Sequence, residues 1–170
     1  MIERNAYDME MVCGGKLYNT EDNIYVNKVV LNDKEIAENC LYVAIKGAHH
    51  DGNDYAEKAI KNGAALILSE NDPEKNLPSL KVKSVTDALI NLSHFYRKKE
   101  RDSVIMVTGS VGKTTVKELI WSIASTETAV LKSEGNKNNL LGLPLTLLSD
   151  NDARTVVLEA GISEKGEMER

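Results

Sequence analysis

The chain has 170 residues, of which 42% are hydrophobic, and a formal net charge of −5 at pH 7. This length can bury one core or two small ones, and the acidic balance argues against a general nucleic-acid-binding surface. Cys13 and Cys40 lie in apolar surroundings without a C-x-x-C spacing, which predicts reduced thiols. The N-terminus is polar and no apolar run is long enough to cross a membrane, so we expect a cytoplasmic protein without membrane insertion.

The first hundred residues have the pattern of a small α/β unit. Weak helical spacing precedes the glycines at positions 14 and 15, where a short helix is expected to stop. Apolar runs predict strands over residues 24–31, 41–45, 64–68 and 80–82. Residues 53–62 have helical spacing, and Gly63 fits the position just after a helix, where glycine is favoured.

A longer helix comes next in the chain. Thr86 is predicted as its N-cap, and apolar residues recur at helical spacing over residues 89–96. The helix ends in residues 97–102, RKKERD, which alternate in sign and indicate a solvated linker. We therefore expect a domain boundary near residue 100 and a new strand–helix unit from Ser103.

A glycine-containing segment then dominates the pattern. Residues 104–107, VIMV, predict a strand buried on both faces, and residues 108–115 read TGSVGKTT. Helical spacing follows to about Ser125. Glycines let backbone N–H groups approach phosphate oxygens, and the helix N-terminus adds its dipole. We assign phosphate binding to Gly109, Ser110, Val111, Gly112, Lys113, Thr114 and Thr115, with the Lys113 charge on the terminal phosphates and the Thr114 hydroxyl at Mg²⁺.

This segment is shorter than the general phosphate-loop pattern G-x-x-x-x-G-K-[ST], because Val107 stands in the place of the first glycine. An ordinary turn with a solvated lysine is the alternative interpretation. A lysine at the positive end of a helix is slightly unfavourable, however, which favours an anionic ligand.

Three further segments surround this motif. A strand is predicted at residues 129–131, followed by the polar loop 132–139, KSEGNKNN, and by a helix over residues 140–148 with Pro144 in its first turn. The loop is either a flexible connector or, through its asparagines, part of a site for a polar ligand. A strand at residues 155–158 ends on Glu159, which is predicted to hold Mg²⁺ beside the phosphate loop; pairing with a lysine is the alternative.

Paired histidines invite a separate metal hypothesis. His49 and His50 precede Asp51 in a polar loop, but no third ligand recurs at metal spacing. Solvated loop histidines are the preferred interpretation.

Several segments together resemble the Mur ligase family, whose members form amide bonds with ATP during peptidoglycan precursor synthesis. Residues 108–115 look like its short phosphate loop, and residues 134–148, EGNKNNLLGLPLTLL, are similar to the G-N-x-N-N-x-x-G-x-P-x-T-L-L stretch of one member. Glu159 to Ser163 with Gly166-Glu167-Met168 resembles that member's E-x-G…G-E-[IM] segment. Residues 41–47 and 51–55 resemble the region that holds the UDP-sugar end of the substrate.

The resemblance implies a ligase that adds D-alanyl-D-alanine to UDP-N-acetylmuramoyl-tripeptide through an acyl phosphate, with ATP and Mg²⁺ as cofactors and no nucleic-acid partner. It implies a UDP-sugar-binding domain over residues 1–100 and the first part of a parallel-sheet ATP-binding domain over residues 101–170. A C-terminal domain is absent, so we expect an N-terminal fragment that is inactive alone, and a monomer. Lys113 is the expected catalytic residue, and Thr114 and Glu159 the metal-binding residues.

The same resemblance implies the substrate contacts. They are assigned to Lys34, Lys46, Gly47, Asn138 and Asn139. Where the family usually shows Asp-Ser-Arg, this chain has Asn32-Asp33-Lys34, so that Lys34 keeps a cation for the diphosphate.

Three other functions remain open at this stage. The family's ligase for the third peptide residue should lack the Asn-Asn-x-x-Gly-x-Pro stretch. A P-loop kinase or NTPase predicts a longer glycine loop and leaves the first domain unexplained. A UDP-sugar-binding module without catalysis would use the first domain alone.

Overall fold

The computed structural model describes residues 4–20, 24–47, 50–73, 76–135, 137–149 and 152–162. The chain divides into two compact units, Met1–Leu92 and Ser93–Arg170. Each unit contains helices and a largely or wholly parallel sheet, so the predicted α/β class is confirmed. The domain boundary near residue 100 stays a prediction. Among the described residues no helix is both long and apolar enough to cross a membrane.

The first unit is built on a five-stranded sheet. In chain order its elements are β1 (Arg4–Asn5), α1 (Ala6–Cys13), β2 (Lys16–Tyr18), β3 (Tyr25–Val26), β4 (Lys28–Val30), β5 (Cys40–Val43), α2 (Ala56–Lys61), β6 (Ala64–Ser69), β7 (Ser79–Lys81) and α3 (Val85–Glu100), which continues into the second unit. The order of the strands in the sheet is β2-β7-β6-β5-β4, and all neighbours are parallel except β2 and β7. Every residue of β5 is buried, as expected for an inner strand of a parallel sheet.

Two details of this unit differ from the prediction. The strand expected over residues 24–31 is two strands, because β3 pairs antiparallel with β1 whereas β4 pairs parallel with β5. The chain changes partner at Asn27, whose N–H bonds the Asn39 carbonyl at 2.9 Å. Thr86 is not the N-cap of α3; Ser84 precedes the helix and its Oγ accepts from the Asp87 N–H at 3.2 Å.

The elements of the second unit after α3 are β8 (Ser103–Val107), α4 (Lys113–Ala124), β9 (Val130–Lys132), α5 (Gly142–Leu147) and β10 (Thr155–Glu159). The three strands form a parallel sheet with the order β8-β10-β9. The strand in the middle is thus the last in sequence. Because parallel strands run in one direction, the segments that follow all three strands leave the sheet at one edge.

The prediction that β8 is buried on both faces is wrong for this structure. Ile105 is 38% exposed and Met106 52% exposed, and their side chains point to opposite faces of the sheet. β8 also lies at the edge of the three-stranded sheet, so it has a neighbouring strand on one side only. On α4, Leu119 and Ile123 are also exposed. The helical period of α4 was predicted, but three of the four apolar residues that define it, Val116, Leu119 and Ile123, are exposed.

The interpretation of residues 97–102 as a solvated linker is wrong for Arg101, which is 5% exposed. Its guanidinium donates to the carbonyl oxygens of Ala153 at 2.5 Å, Leu147 at 3.0 Å and Ser149 at 3.1 Å. Leu147 is the last residue of α5, so Arg101 satisfies carbonyls at a helix end as well as in the next loop.

Arg101→Lys should therefore destabilise the second unit. A lysine ammonium cannot copy the fork of the guanidinium, and buried carbonyls left without donors cost about 1–3 kcal/mol. We expect a loss of about 2 kcal/mol in the free energy of unfolding, measured by urea denaturation. Arg97→Lys, on the exposed side of α3, is the matched control and should change little. Equal midpoints for the two variants would contradict the capping role.

Candidate functional site

The glycine loop, residues 108–115, joins the end of β8 to the start of α4. Gly112 is the N-cap of α4 with a φ of 80°, and Gly109 has a φ of 149°, so both occupy backbone conformations that favour glycine. A glycine cap has no side chain with which to satisfy the first amide groups of the helix. The loop thus has the backbone geometry of an anion site.

The side chains of the loop point in different directions. The Lys113 ammonium donates to the Gly109 carbonyl at 2.8 Å and so lies back across the loop. Ser110 and Thr115 are exposed, and Val111 is 92% exposed. Lys113 is therefore the loop side chain whose charge lies nearest to the loop backbone, where an anion would bind.

Glu159 meets this loop from the end of β10. Its Oε2 accepts a hydrogen bond from Thr114 Oγ1 at 2.7 Å, and its Oε1 accepts one from Asn138 Nδ2 at 3.2 Å. Its backbone N–H donates to Ser133 Oγ at 2.9 Å. The side chain is enclosed, with only 5% of Glu159 exposed. The fold thus brings together the two residues predicted to hold Mg²⁺, Thr114 and Glu159.

The carboxyl of Glu159 is ionised at neutral pH. The hydrogen bond from Thr114 is the main cause that holds its pKa below the ordinary glutamate value; burial opposes this effect. The hydrogen bond from Asn138 and the charges of Lys117 and Lys113 lower the pKa further. An anionic carboxylate beside a hydroxyl is an oxygen donor set that suits Mg²⁺.

Sequence reasoning missed Lys117, which is only 2% exposed. Its ammonium donates to the Ser133 carbonyl at 2.9 Å and lies 3.2 Å from Glu118 Oε1 and 3.9 Å from Glu159 Oε2. Glu159 therefore lies beside a lysine, as the alternative interpretation expects, and it also accepts the hydrogen bond from Thr114. The sequence feature that could have identified Lys117 is its four-residue spacing from Lys113, which places both lysines on one side of α4.

The asparagine-containing loop contributes one side chain to Glu159 and one to its own structure. Asn138 bonds Glu159, as described, and its carbonyl accepts from the Gly161 N–H at 2.8 Å. Asn139 Oδ1 accepts from the N–H groups of Leu141 at 3.2 Å and Gly142 at 2.9 Å, at the start of α5. Asn138 is thus part of the cluster, whereas the oxygen of Asn139 caps a helix.

The predicted substrate residues of the first unit follow two neighbouring strands. Lys34 is exposed in a 3-10 helix after β4, and Lys46 and Gly47 are exposed after β5. The Gly47 N–H bonds the His50 carbonyl at 2.8 Å, which closes the second loop. Because β4 and β5 are parallel, both loops leave the same edge of the sheet.

Some predicted positions lie outside the described residues. They are His49 of the histidine pair, Asn136 of the asparagine-containing stretch, and Ser163, Gly166, Glu167 and Met168 of the C-terminal segment. His50 is described and is exposed.

Two family models match the chain. The Mur ligase family, catalytic domain, matches residues 26–110, which is half of the sequence. The chain belongs to the Mur ligase family. The Mur ligase middle domain matches residues 107–170, so that this second match contains the whole glycine loop as well as Asn138 and Glu159.

Individual Mur ligases are similar over nearly all of this chain. The UDP-N-acetylmuramoyl-tripeptide–D-alanyl-D-alanine ligase of Haemophilus influenzae is 34% identical over 174 residues, which cover 99% of this chain and 38% of that enzyme. The crystal structure of MurF from Acinetobacter baumannii aligns with a TM-score of 0.87 and 26% identity, over 99% of this chain and 38% of that one. MurF from Thermotoga maritima in complex with ADP aligns with a TM-score of 0.75 and 35% identity, over 84% and 34%. The chain therefore spans little more than a third of the length of these Mur ligases.

Thr114→Val should raise the pKa of Glu159, because it removes the hydrogen bond that contributes most to lowering it. A ¹³C-NMR titration of the glutamate carboxyl groups measures the change, with Thr115→Val, at an exposed neighbouring hydroxyl, as the control. An unchanged midpoint in Thr114→Val would show that this hydrogen bond does not control the ionisation.

The same substitution should alter the pH dependence of stability. A lowered folded-state pKa gives stability that is present above the unfolded-state pKa and is lost as the pH falls through the folded-state value. Because Thr114→Val narrows the difference between the two pKa values, the loss of stability on acidification should be shallower than in the parent chain. Thermal unfolding between pH 3 and pH 7, about the range of carboxyl titration, measures it.

Proposed function

We propose that this chain supplies the nucleotide-binding loop and the UDP-sugar-binding unit of an ATP-dependent ligase that joins D-alanyl-D-alanine to UDP-N-acetylmuramoyl-tripeptide. The observation that carries the proposal is the meeting of Lys113, Thr114, Asn138 and Glu159 in one cluster at the carboxyl edge of a parallel sheet. Family membership and the names of the relatives support the choice of reaction. We place the reaction in the cytoplasm, where ATP is available.

The glycine loop would hold the phosphates of ATP. Backbone N–H groups around Gly109 and Gly112 suit phosphate oxygens, and Lys113 would exchange its contact with the Gly109 carbonyl for the terminal phosphates. The Thermotoga maritima relative is known as a complex with ADP, which supports a nucleotide at this kind of site.

Mg²⁺ fits the same cluster. Glu159 is ionised and enclosed, and the Thr114 hydroxyl lies directly against it. Thr114 and Glu159 would hold the ion, which when bound would neutralise charge on the transferring phosphoryl group. Asn138 would keep the carboxylate oriented through its hydrogen bond to Oε1.

The reaction consists of two displacements at anionic centres. The tripeptide carboxylate attacks the γ-phosphorus of ATP, the bond to the bridging oxygen breaks, and ADP leaves. The amine of D-alanyl-D-alanine then attacks the carbonyl carbon of the acyl phosphate, loses a proton and releases phosphate. The residues of this chain would contribute positioning and positive charge, since phosphoryl transfer depends mainly on these two factors.

The substrate would be held at two places. Lys34 and Lys46, with the backbone of Gly47, would contact the diphosphate of the UDP-sugar, because the two loops that carry them leave the same edge of the first sheet. In the second unit, Asn138 and the amide nitrogen of Asn139 would face the peptide end. The Asn-Asn-x-x-Gly-x-Pro stretch favours this ligase over the one that adds the third peptide residue.

Lys113→Ala should weaken ATP binding to the 170-residue chain by about a hundredfold, because it removes the loop charge nearest to the phosphates. Calorimetry with Mg²⁺ and ATP measures the affinity. Lys98→Ala, at an exposed position of α3, is the matched control. Equal affinities for the two variants would exclude the glycine loop as the ATP site.

A protein that continues through a complete central and C-terminal domain should release ADP only when both UDP-N-acetylmuramoyl-tripeptide and D-alanyl-D-alanine are present. The coupled spectrophotometric assay for ADP measures this dependence. ADP release that does not depend on the dipeptide would contradict the proposed ligase. The 170-residue chain alone should give no turnover, and turnover by it would contradict the expectation that this part of a Mur ligase is inactive alone.

A further inference from the structure

Lys117 has no role in the function proposed above, yet it is the most deeply buried cation near the glycine loop. Only 2% of the residue is exposed. Burial of an ammonium group is unfavourable unless the charge is paired and its hydrogen bonds are made. The partners of Lys117 therefore indicate what keeps it in place.

The hydrogen bond of Lys117 joins it to Ser133, the residue that follows β9. Its ammonium donates to the Ser133 carbonyl at 2.9 Å, and Ser133 Oγ accepts from the Glu159 N–H at 2.9 Å. Ser133 thus contacts both the ammonium of Lys117 and the backbone of Glu159. Because Lys117 is enclosed, its ammonium is held at a fixed distance from the carboxylate.

The charge of Lys117 acts on one particular oxygen. Its ammonium lies 3.9 Å from Glu159 Oε2, the oxygen that also accepts the hydrogen bond from Thr114. In the proposed function Thr114 and Glu159 would hold the metal. Lys117 and a divalent cation would therefore act on the same carboxylate.

The charges around the carboxylate sum to a positive value. Glu118, which lies 3.2 Å from the Lys117 ammonium, is paired with Lys132 at the partly exposed edge of the cluster. Among the described residues, the cations that then act on Glu159 are Lys113 and Lys117. Two cations and one carboxylate give a local charge of +1. A free divalent cation is repelled by such a site, whereas a metal that arrives with nucleotide phosphates brings compensating negative charge.

We propose that Lys117 is a fixed internal counter-ion of Glu159 that excludes free divalent cations, so that the metal binds only together with the nucleotide. The proposal rests on the proposed function, in which Glu159 holds the metal. Lys117 is a positioning residue, since it would act on the metal through Glu159. We expect Lys117 to determine whether the metal can bind before the nucleotide, which a purely structural lysine would not do.

The test is the binding of Mn²⁺ to the chain in the absence of nucleotide, measured by electron paramagnetic resonance of the free ion. Lys117→Gln keeps an N–H donor for the Ser133 carbonyl but removes the charge. It should bind Mn²⁺ at least about tenfold more tightly than the parent chain. Lys117→Arg, which keeps the charge, should behave as the parent chain does.

Two controls show whether the change arises at Glu159. Lys132→Gln removes a neighbouring lysine that pairs with Glu118 and should leave Mn²⁺ binding within about threefold of the parent chain. The double variant Lys117→Gln/Glu159→Gln should lose the gain of the single variant. A folded Lys117→Gln chain with unchanged or weaker Mn²⁺ binding would overturn the proposal.

A measurement on the parent chain covers the case in which Lys117→Gln does not fold. The enclosed ammonium of Lys117 should give a slowly exchanging ¹⁵N resonance, which should shift when Mg²⁺ is added to the ADP complex, whereas that of Lys132 should not. An unshifted Lys117 resonance would overturn the proposal. Failure of the proposed function would instead appear as absent ATP binding in the parent chain, and the Mn²⁺ titration does not depend on that result.

Discussion

The buried carboxylate of Glu159 needs partners on every side, because an ionised group out of contact with water is stable only when its hydrogen bonds and its charge are satisfied. Thr114 and Asn138 donate hydrogen bonds to its two oxygens, and the Ser133 hydroxyl accepts one from the backbone N–H of the same residue. These partners come from α4 and from the segment after β9. The Glu159 contacts therefore fix the positions of the glycine loop and the asparagine-containing loop relative to the sheet.

The parallel sheet makes this convergence possible. The glycine loop follows β8, the asparagine-containing loop follows β9, and Glu159 ends β10, so all three lie at one edge. Since β10 is central, its last residue contacts groups from both sides. The same logic places Lys34 and Lys46 after the neighbouring strands β4 and β5 of the first unit. Each unit thus presents its polar residues where parallel strands end.

Local sequence signals were sufficient for most elements of the fold. Apolar runs identified the strands, and glycine positions such as Gly63 and Gly112 matched backbone conformations with positive φ, because only nearby atoms decide those preferences. The glycine loop was found for the same reason. The pattern did not reveal which face of α4 is buried, since its apolar residues Leu119 and Ile123 are exposed while Lys117 is enclosed.

The sequence by itself therefore determined the α/β class, the order of the elements and the motif that marks the Mur ligase family. Only the tertiary structure decided which partners the charged residues have. Arg101 caps carbonyls about fifty positions away, and Lys117 lies beside a carboxylate from another strand. Such contacts depend on distances in space between segments far apart in the chain, whereas periodicity and turn preferences depend on neighbours a few residues away.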